Sequence, residues 1–250
     1  MVLTPEQIAQ FKALGYVLVS NLIDPSMLDN WRAQIRAQYG DLSDPAQQNA
    51  AGPRQQHRED ITILRGFRFS PEETQLVNQP KVKAIVNHMG GDGQFCGEDG
   101  NLRLLLPEPE CEWCLPERGH IDGYLGKRRG ASFLLGLATY IYDAEPRGGG
   151  TVFWPRSHIK SWEFLRKHPN HLSCSFKDHP EYLDMVKDIQ PVELHAKAGD
   201  VIFWHCNILH EPSQNTSNNI RYGLFARLPH KDQETFRDEI PDDLWKRWRI

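Results

Sequence analysis

Apolar positions change their spacing part-way along the chain. Up to about residue 90 they recur with helical periodicity, and beyond Gly90-Gly91 they gather into short β-rich runs separated by turns. Thr4-Pro5-Glu6-Gln7 supplies an N-cap threonine, a proline at the first helical position and a glutamine at the capping-box position, followed by Ile8, Phe11 and Leu14 before Gly15. This predicts a short amphipathic helix. A strand over Tyr16–Val19 follows, then a second helix opened by Asp24-Pro25, with Leu28, Trp31 and Ile35 on one face and Gly40 as its stop. Ser70-Pro71-Glu72-Glu73 repeats the capping signature and predicts a third helix, and Pro80 to Val86 a fourth. Between them, Asp41 to about Asp60 is rich in Gln, Ala, Pro and Arg without periodicity; it reads as a long surface loop, either a lid or an excursion without a role.

The later runs are Leu102–Leu106, His120–Tyr124, Phe133–Tyr142, Thr151–Trp154, Val192–His195, Val201–His205 and Arg221–Leu228. Several short strands behind a helical preface point to a mainly β fold of sandwich or jelly-roll type, since alternating βαβ units are absent. One domain over 1–250 is expected, with 1–90 as mostly helical support, 100–230 as the β core and 231–250 as a C-terminal helix in which Leu244, Trp245 and Trp248 pack inward or against a second subunit. A formal net charge of −4 lacks the basic balance of a nucleic-acid binder, so a small-molecule partner is the default. No run approaches 18 apolar residues and the first residues lack a secretory pattern, so no membrane partner and a cytoplasmic location are expected. Five cysteines, an odd and sparse set, read as reduced thiols. The pattern leaves oligomeric state open.

His120-Ile121-Asp122 places two ligand-capable side chains at i and i+2, which on a strand project from one face and can chelate one ion. A lone tripeptide of this kind is weak and needs a third ligand. The run Gly199 to His210 supplies one, an apolar strand ending in a histidine beside Glu211-Pro212, with His205 the rival ligand were the register different. After the polar turn Gln214–Asn219, Arg221 enters the next strand, so that His210 and Arg221 could be neighbours on a hairpin. Two imidazoles and one carboxylate hold one face of Fe(II) and leave three positions for a bidentate co-substrate and O2, and an arginine fork suits a carboxylate.

The stretch Glu6 to Val19 resembles the opening helix and strand of the phytanoyl-CoA dioxygenase family. His120-Ile121-Asp122 resembles that family's iron-binding pair, and Gly149 to His158 its glycine-to-Pro-Gly-Ser-His segment, with Arg156 where the family has glycine. Gly199 to His210 and Asn215 to Arg221 are similar to its distal-histidine hairpin. The resemblance covers most of the chain. It implies a double-stranded β-helix (jelly-roll, cupin-like) core; Fe(II), 2-oxoglutarate and O2; His120, Asp122 and His210 as metal ligands; and Arg221 as the 2-oxoglutarate anchor. It further implies decarboxylation of 2-oxoglutarate to succinate and CO2 with oxidation of a substrate, hydroxylation being the default because Asp122 retains the position that related halogenases vacate. Members often place a Ser or Thr beside the arginine as a second anchor, whereas Asn219 and Gly223 flank Arg221 here. The family acts on many small molecules, so no acyl-CoA substrate is inferred. A jelly-roll metal hydrolase or isomerase using the same triad is the alternative, one that leaves Arg221 without a task.

Other features read more plainly. His158, His171, His179, His195 and His230 are expected to be structural or surface histidines. Cys111-Glu112-Trp113-Cys114 lacks the two further ligands of a zinc site, and Gly148-Gly149-Gly150 lacks the lysine and helix of a phosphate loop. Lys127-Arg128-Arg129 could meet an anionic substrate, against the more common reading of a solvated basic turn. Tyr124 and Trp154 are candidates for pocket lining or core.

Overall fold

Near-continuous apolar runs give the central strands two buried faces. A computed structural model of the chain describes residues 2–42, 54–58, 61–64, 67–124, 128–171 and 174–250. Its larger antiparallel sheet contains β1 (Tyr16–Val19), β2 (Arg54–Arg58), β3 (Ile61–Leu64), β4 (Asp99–Leu105), β5 (Leu135–Tyr140), β8 (Val201–His205) and β10 (Arg221–Leu228), in the order β1-β8-β5-β10-β4-β3-β2. A smaller sheet has the order β7-β6-β9, from β6 (Thr151–Phe153), β7 (Val192–Glu193) and β9 (His210–Pro212). The two form an open jelly-roll core, as expected.

On one face of the large sheet, Leu135, Leu137, Val201, Phe203, Leu224, Ala226 and Leu228 pack against α1 (Pro5–Leu14), α2 (Pro25–Tyr39) and α3 (Pro80–Gly90) through Phe11, Trp31, Ile35, Val82 and Ile85. On the other face, Ala138, Tyr140, Ile202, Trp204 and Phe225 meet Phe153 of the small sheet. This double cover is why all six residues of β5 are buried. Each large apolar side chain so buried contributes about 1.5–3 kcal/mol. Behind the small sheet, α4 (Ser157–Lys167) and α5 (Pro180–Val186) bury Phe164, Leu165, Tyr182 and Val186 against Val152, Trp154 and Leu209. Tyr124 and Trp154 belong to this cluster and are core.

The first helix forms as its cap dictates: Gln7 N–H donates to Thr4 Oγ1 (3.3 Å), Thr4 N–H donates to Gln7 Oε1 (2.9 Å), and Gly15 ends it at φ 88°. The second and fourth predicted helices also form. The third does not. Glu72–Thr74 and Leu76–Asn78 are two 3-10 turns, because the buried Asp99 carboxylate accepts the N–H groups of Leu76 (2.7 Å) and Val77 (3.0 Å) and draws the backbone out of an α-helical path.

Other expectations shift as well. The predicted surface loop 41–60 ends in β2, paired with β3, while 43–53 and 59–60 lie outside the described residues. The run His120–Tyr124 is no continuous strand; His120 alone forms a bridge, to His210. The expected C-terminal helix is only α6 (Gln233–Phe236), and the rest of 231–250 proceeds in turns. Trp245 and Trp248 are nevertheless packed within the chain: Trp248 lies 5.3 Å from the Phe11 ring and stacks on His205 at 5.5 Å. Helices α4 and α5 were not predicted. Arg156, before α4, has φ 71°, the left-handed conformation for which the glycine of the resembled motif is suited.

Candidate metal centre

Backbone pairing sets the site. His120 N–H donates to His210 O and His210 N–H to His120 O, both at 3.0 Å, so the two residues form a hydrogen-bonded antiparallel pair with ring centroids 4.4 Å apart. Asp122 follows two residues later, and its carboxylate meets both rings: Oδ1 is 3.4 Å from His120 Nε2 and Oδ2 is 3.3 Å from His210 Nε2. One ligand atom from each of the three lies within 4.8 Å of the others, the one such His/Cys/Asp/Glu cluster among the described residues.

The remaining ring nitrogens are held from behind. Glu211 Oε2 lies 2.6 Å from His120 Nδ1, and the Ile208 carbonyl oxygen 3.1 Å from His210 Nδ1. Each partner is an acceptor, which places a proton on Nδ1 and turns the Nε2 side of each ring toward Asp122. Burial works against charge on His120, yet hydrogen bonds and charge from Asp122 and Glu211 raise it to about 9. Burial alone would raise the Asp122 carboxyl as well, but His120, His210 and Arg227 hold it well below the usual range. Burial and the neighbouring His120 push His210 down. The proton shared among these groups occupies ground that a divalent cation would take with more charge.

Arg227, on β10, donates from Nε (2.9 Å) and Nη2 to Asp122 Oδ2. Neither Arg227 nor Glu211 was read from the sequence as a site residue. The signal for Arg227 was its parity with Arg221: residues 221, 223, 225 and 227 share one face of β10, and a cation on a buried face asks for a partner.

Arg221 is 6% exposed, with its Cζ 5.4 Å from the Tyr140 ring and 5.7 Å from the Phe225 ring. Its Nη1 lies 2.2 Å from where a Cβ on Gly223 would stand, so the guanidinium folds back over Gly223 along the strand. His210 and Arg221 are not hairpin partners, as the sequence suggested. They open β9 and β10 in different sheets and are linked across the interior by Trp204, whose ring is 5.8 Å from His210 and 6.3 Å from Phe225. The Trp204 Nε1–H is buried without an acceptor among the described residues. Leaving such a donor unsatisfied costs about 1–3 kcal/mol, which a polar ligand would recover.

The chain from residue 11 to residue 223 matches the family model described as phytanoyl-CoA dioxygenase (PhyH). The chain belongs to this family. Membership makes it a non-haem oxidoreductase of the dioxygenase type that uses Fe(II), 2-oxoglutarate and O2, and the donor set of two imidazoles and a carboxylate suits that ion. No curated protein matches it in sequence. Solved structures share the fold. The epimerase SnoN in complex with Fe3+, alpha ketoglutarate and nogalamycin RO is 18% identical, with TM-score 0.62 over 90% of this chain and 82% of its own. HygX from Streptomyces hygroscopicus, with nickel, 2-oxoglutarate and hygromycin B bound, is 12% identical, with TM-score 0.59 over 92% and 88%. EctD from S. alaskensis with bound Fe is 16% identical, with TM-score 0.61 over 91% and 77%.

The rival features of the sequence fall away from the centre. His205 does not share a strand with His210: it ends β8, is buried against Trp248, and burial holds its imidazole neutral. His158 is buried, packs on Gly15 and lies 3.2 Å through Nε2 from the Lys12 carbonyl. Arg128 pairs with Asp238 (3.0 Å) and Glu234 (3.1 Å), so it is committed to the C-terminal segment; Lys127 lies outside the described residues. Cys96, Cys111, Cys114 and Cys206 are free thiols, and Gly148–Gly150 leads from a turn at 146–147 into β6, with Gly148 bridged to Asn215. No described helix is long and apolar enough to cross a membrane.

Proposed function

We propose that His120, Asp122 and His210 hold Fe(II), that Arg221 anchors the distal carboxylate of 2-oxoglutarate, and that the enzyme hydroxylates a small organic molecule. The convergence of two Nε2 atoms and a carboxylate within 4.8 Å carries this reading. Bound iron with 2-oxoglutarate and O2 supplies the oxidising equivalent, releasing succinate and CO2. The protein's own part is positioning. Glu211 and Ile208 orient the imidazoles, and Arg227 steadies Asp122 through a two-nitrogen contact. Arg221, backed by Tyr140 and Phe225, presents a planar fork with little freedom to move, and the apolar walls strengthen its attraction for a carboxylate. An open domain of this kind, acting as a single unit over 1–250, accepts its substrate from the cytoplasm as a dissolved molecule.

The test is anaerobic addition of Fe(II) and then 2-oxoglutarate to apo-protein, following the visible charge-transfer band of the chelate. The band is expected in wild type and in His205→Ala, and is expected to vanish in His210→Ala, Asp122→Ala and Arg221→Ala. Its persistence in His210→Ala would overturn the ligand set. Succinate release with a product 16 mass units heavier than its substrate separates hydroxylation from other 2-oxoglutarate-dependent outcomes.

A further inference from the structure

Three arginines reach the inner face of the large sheet at the metal centre, and two of them have a task. Arg227 is paired with Asp122, and Arg221 lies deepest, over Tyr140 and Phe225. The third is Arg103. It stands on β4 directly opposite Gly223 of β10, which in turn pairs with Tyr140 of β5, so the three share one row across the sheet. Gly223 carries no side chain, and the guanidinium of Arg103 therefore extends over the next row to lie 5.2 Å from the Phe225 ring. Among the described residues no carboxylate or carbonyl accepts a hydrogen bond from it.

The charged groups acting on Arg103 are Arg227, Asp122, Arg221 and Glu211. With Arg103 itself they amount to three cations and two anions. Metal dication and 2-oxoglutarate dianion cancel, so loading the site with both leaves one positive charge in excess. A partly desolvated cation of this kind is costly without a counterion. Burial, and then the neighbouring Arg227, lower Arg103 to about 10, as expected for a cation short of anionic company. Arg103 is half-buried whereas Arg221 is buried, so Arg103 is the one an incoming molecule meets first.

We infer that Arg103 receives an anionic group, a carboxylate or phosphate, on the primary substrate and holds it beside the metal ligands. The inference rests on the proposed iron and 2-oxoglutarate reading of the triad and Arg221. The planar fork of arginine matches either anion with two parallel hydrogen bonds, and Phe225 fixes its plane. The substrate class is then an organic acid, a carboxylate or a phosphate ester. Lys127-Arg128-Arg129, the sequence's own candidate for this task, is not needed.

Ni(II) serves as the unreactive metal, and calorimetry measures 2-oxoglutarate binding to wild type, Arg103→Gln, Arg103→Lys and Arg221→Gln. The loaded proteins are then titrated with hexanoate, hexyl phosphate and neutral hexanol. Wild type is expected to bind one or both anions saturably and hexanol not. Arg103→Gln should weaken anion binding by about tenfold or more, the scale of one charge-assisted pair, with 2-oxoglutarate affinity unchanged, and Arg103→Lys should restore part of it. Equal anion binding in wild type and Arg103→Gln, or none in wild type, would overturn the inference. So would loss of 2-oxoglutarate binding in Arg103→Gln equal to that in Arg221→Gln, which would make Arg103 a co-substrate anchor. Undiminished 2-oxoglutarate binding in Arg221→Gln would instead overturn the underlying reading, independently of the hexanoate result.

Discussion

At the scale of single residues, the site depends on small spaces as much as on charged groups. Gly223 follows Arg221 by two residues, and its bare Cα is what lets Arg221 fold back along β10. Gly223→Val should therefore weaken 2-oxoglutarate binding by an amount comparable to Arg221→Gln while leaving Ni(II) binding intact; calorimetric titration of both ligands checks this. Glu211 acts through His120. Glu211→Gln keeps an acceptor near Nδ1 but removes its charge, and metal affinity should fall about 10- to 100-fold, read by competition with a chelator. His120, Asp122 and His210 were legible because their residue types and spacing are those of a chelate, and Arg221 because its segment resembles the family's distal-histidine hairpin. Glu211, Arg227, Arg103 and Trp204 were not, because each owes its position to a neighbour from a distant segment.

At the scale of elements, strand extent was readable and strand partnership was not. β8 and β10 stand out as apolar runs between turns, and the structure keeps their predicted bounds. The break after His205 was hidden, since Cys206, Ile208 and Leu209 continue the apolar run and only Asn207 interrupts it, yet there the chain leaves the large sheet and starts β9 in the small one. The 3-10 turns at 72–78 show the same limit: a sound local helix signal yields to two hydrogen bonds from Asp99. The small sheet has its own tie. Glu193 of β7 accepts from the N–H of Gly150 (3.2 Å) and of Arg147 (3.3 Å) and from the Ser213 hydroxyl, joining β7, the turn before β6 and the end of β9. Glu193→Ala should lower stability by about 2–3 kcal/mol in urea unfolding, because it strands several donors at once. It should also weaken metal binding through β9, which carries His210.

At the scale of the whole molecule, helices and C-terminal segment are fastened to the jelly roll by aromatic and imidazole rings buried uncharged. His158 lies between Gly15, His205 and Trp245, and burial lowers it to about 4. A folded value depressed below the unfolded value near 6.5 means that the native state binds fewer protons between them. Its stabilisation is full above about pH 6.5 and is lost as pH falls through 4. Two and a half pH units correspond to roughly 3 kcal/mol. Stability of the apo-protein should decline from pH 6.5 to 4, and His158→Gln should flatten that limb in thermal melts; an unchanged pH profile in the variant would show that His158 is not the group involved.

The sequence by itself determined the class of fold through periodicity and capping and the candidate triad through ligand spacing, all local properties of a chain, while the resemblance of its motifs pointed to the family and to Arg221. Tertiary structure decided which histidine joins His120 and Asp122, His210 and not His205 beneath Trp248, because that depends on which strands pair. It also decided that Arg221 approaches from the opposite sheet, that Arg128 is spent on Asp238 and Glu234, and that Arg103 faces the metal centre. Charge complementarity among residues a hundred positions apart arises only when sheets stack, and no window along the sequence contains it.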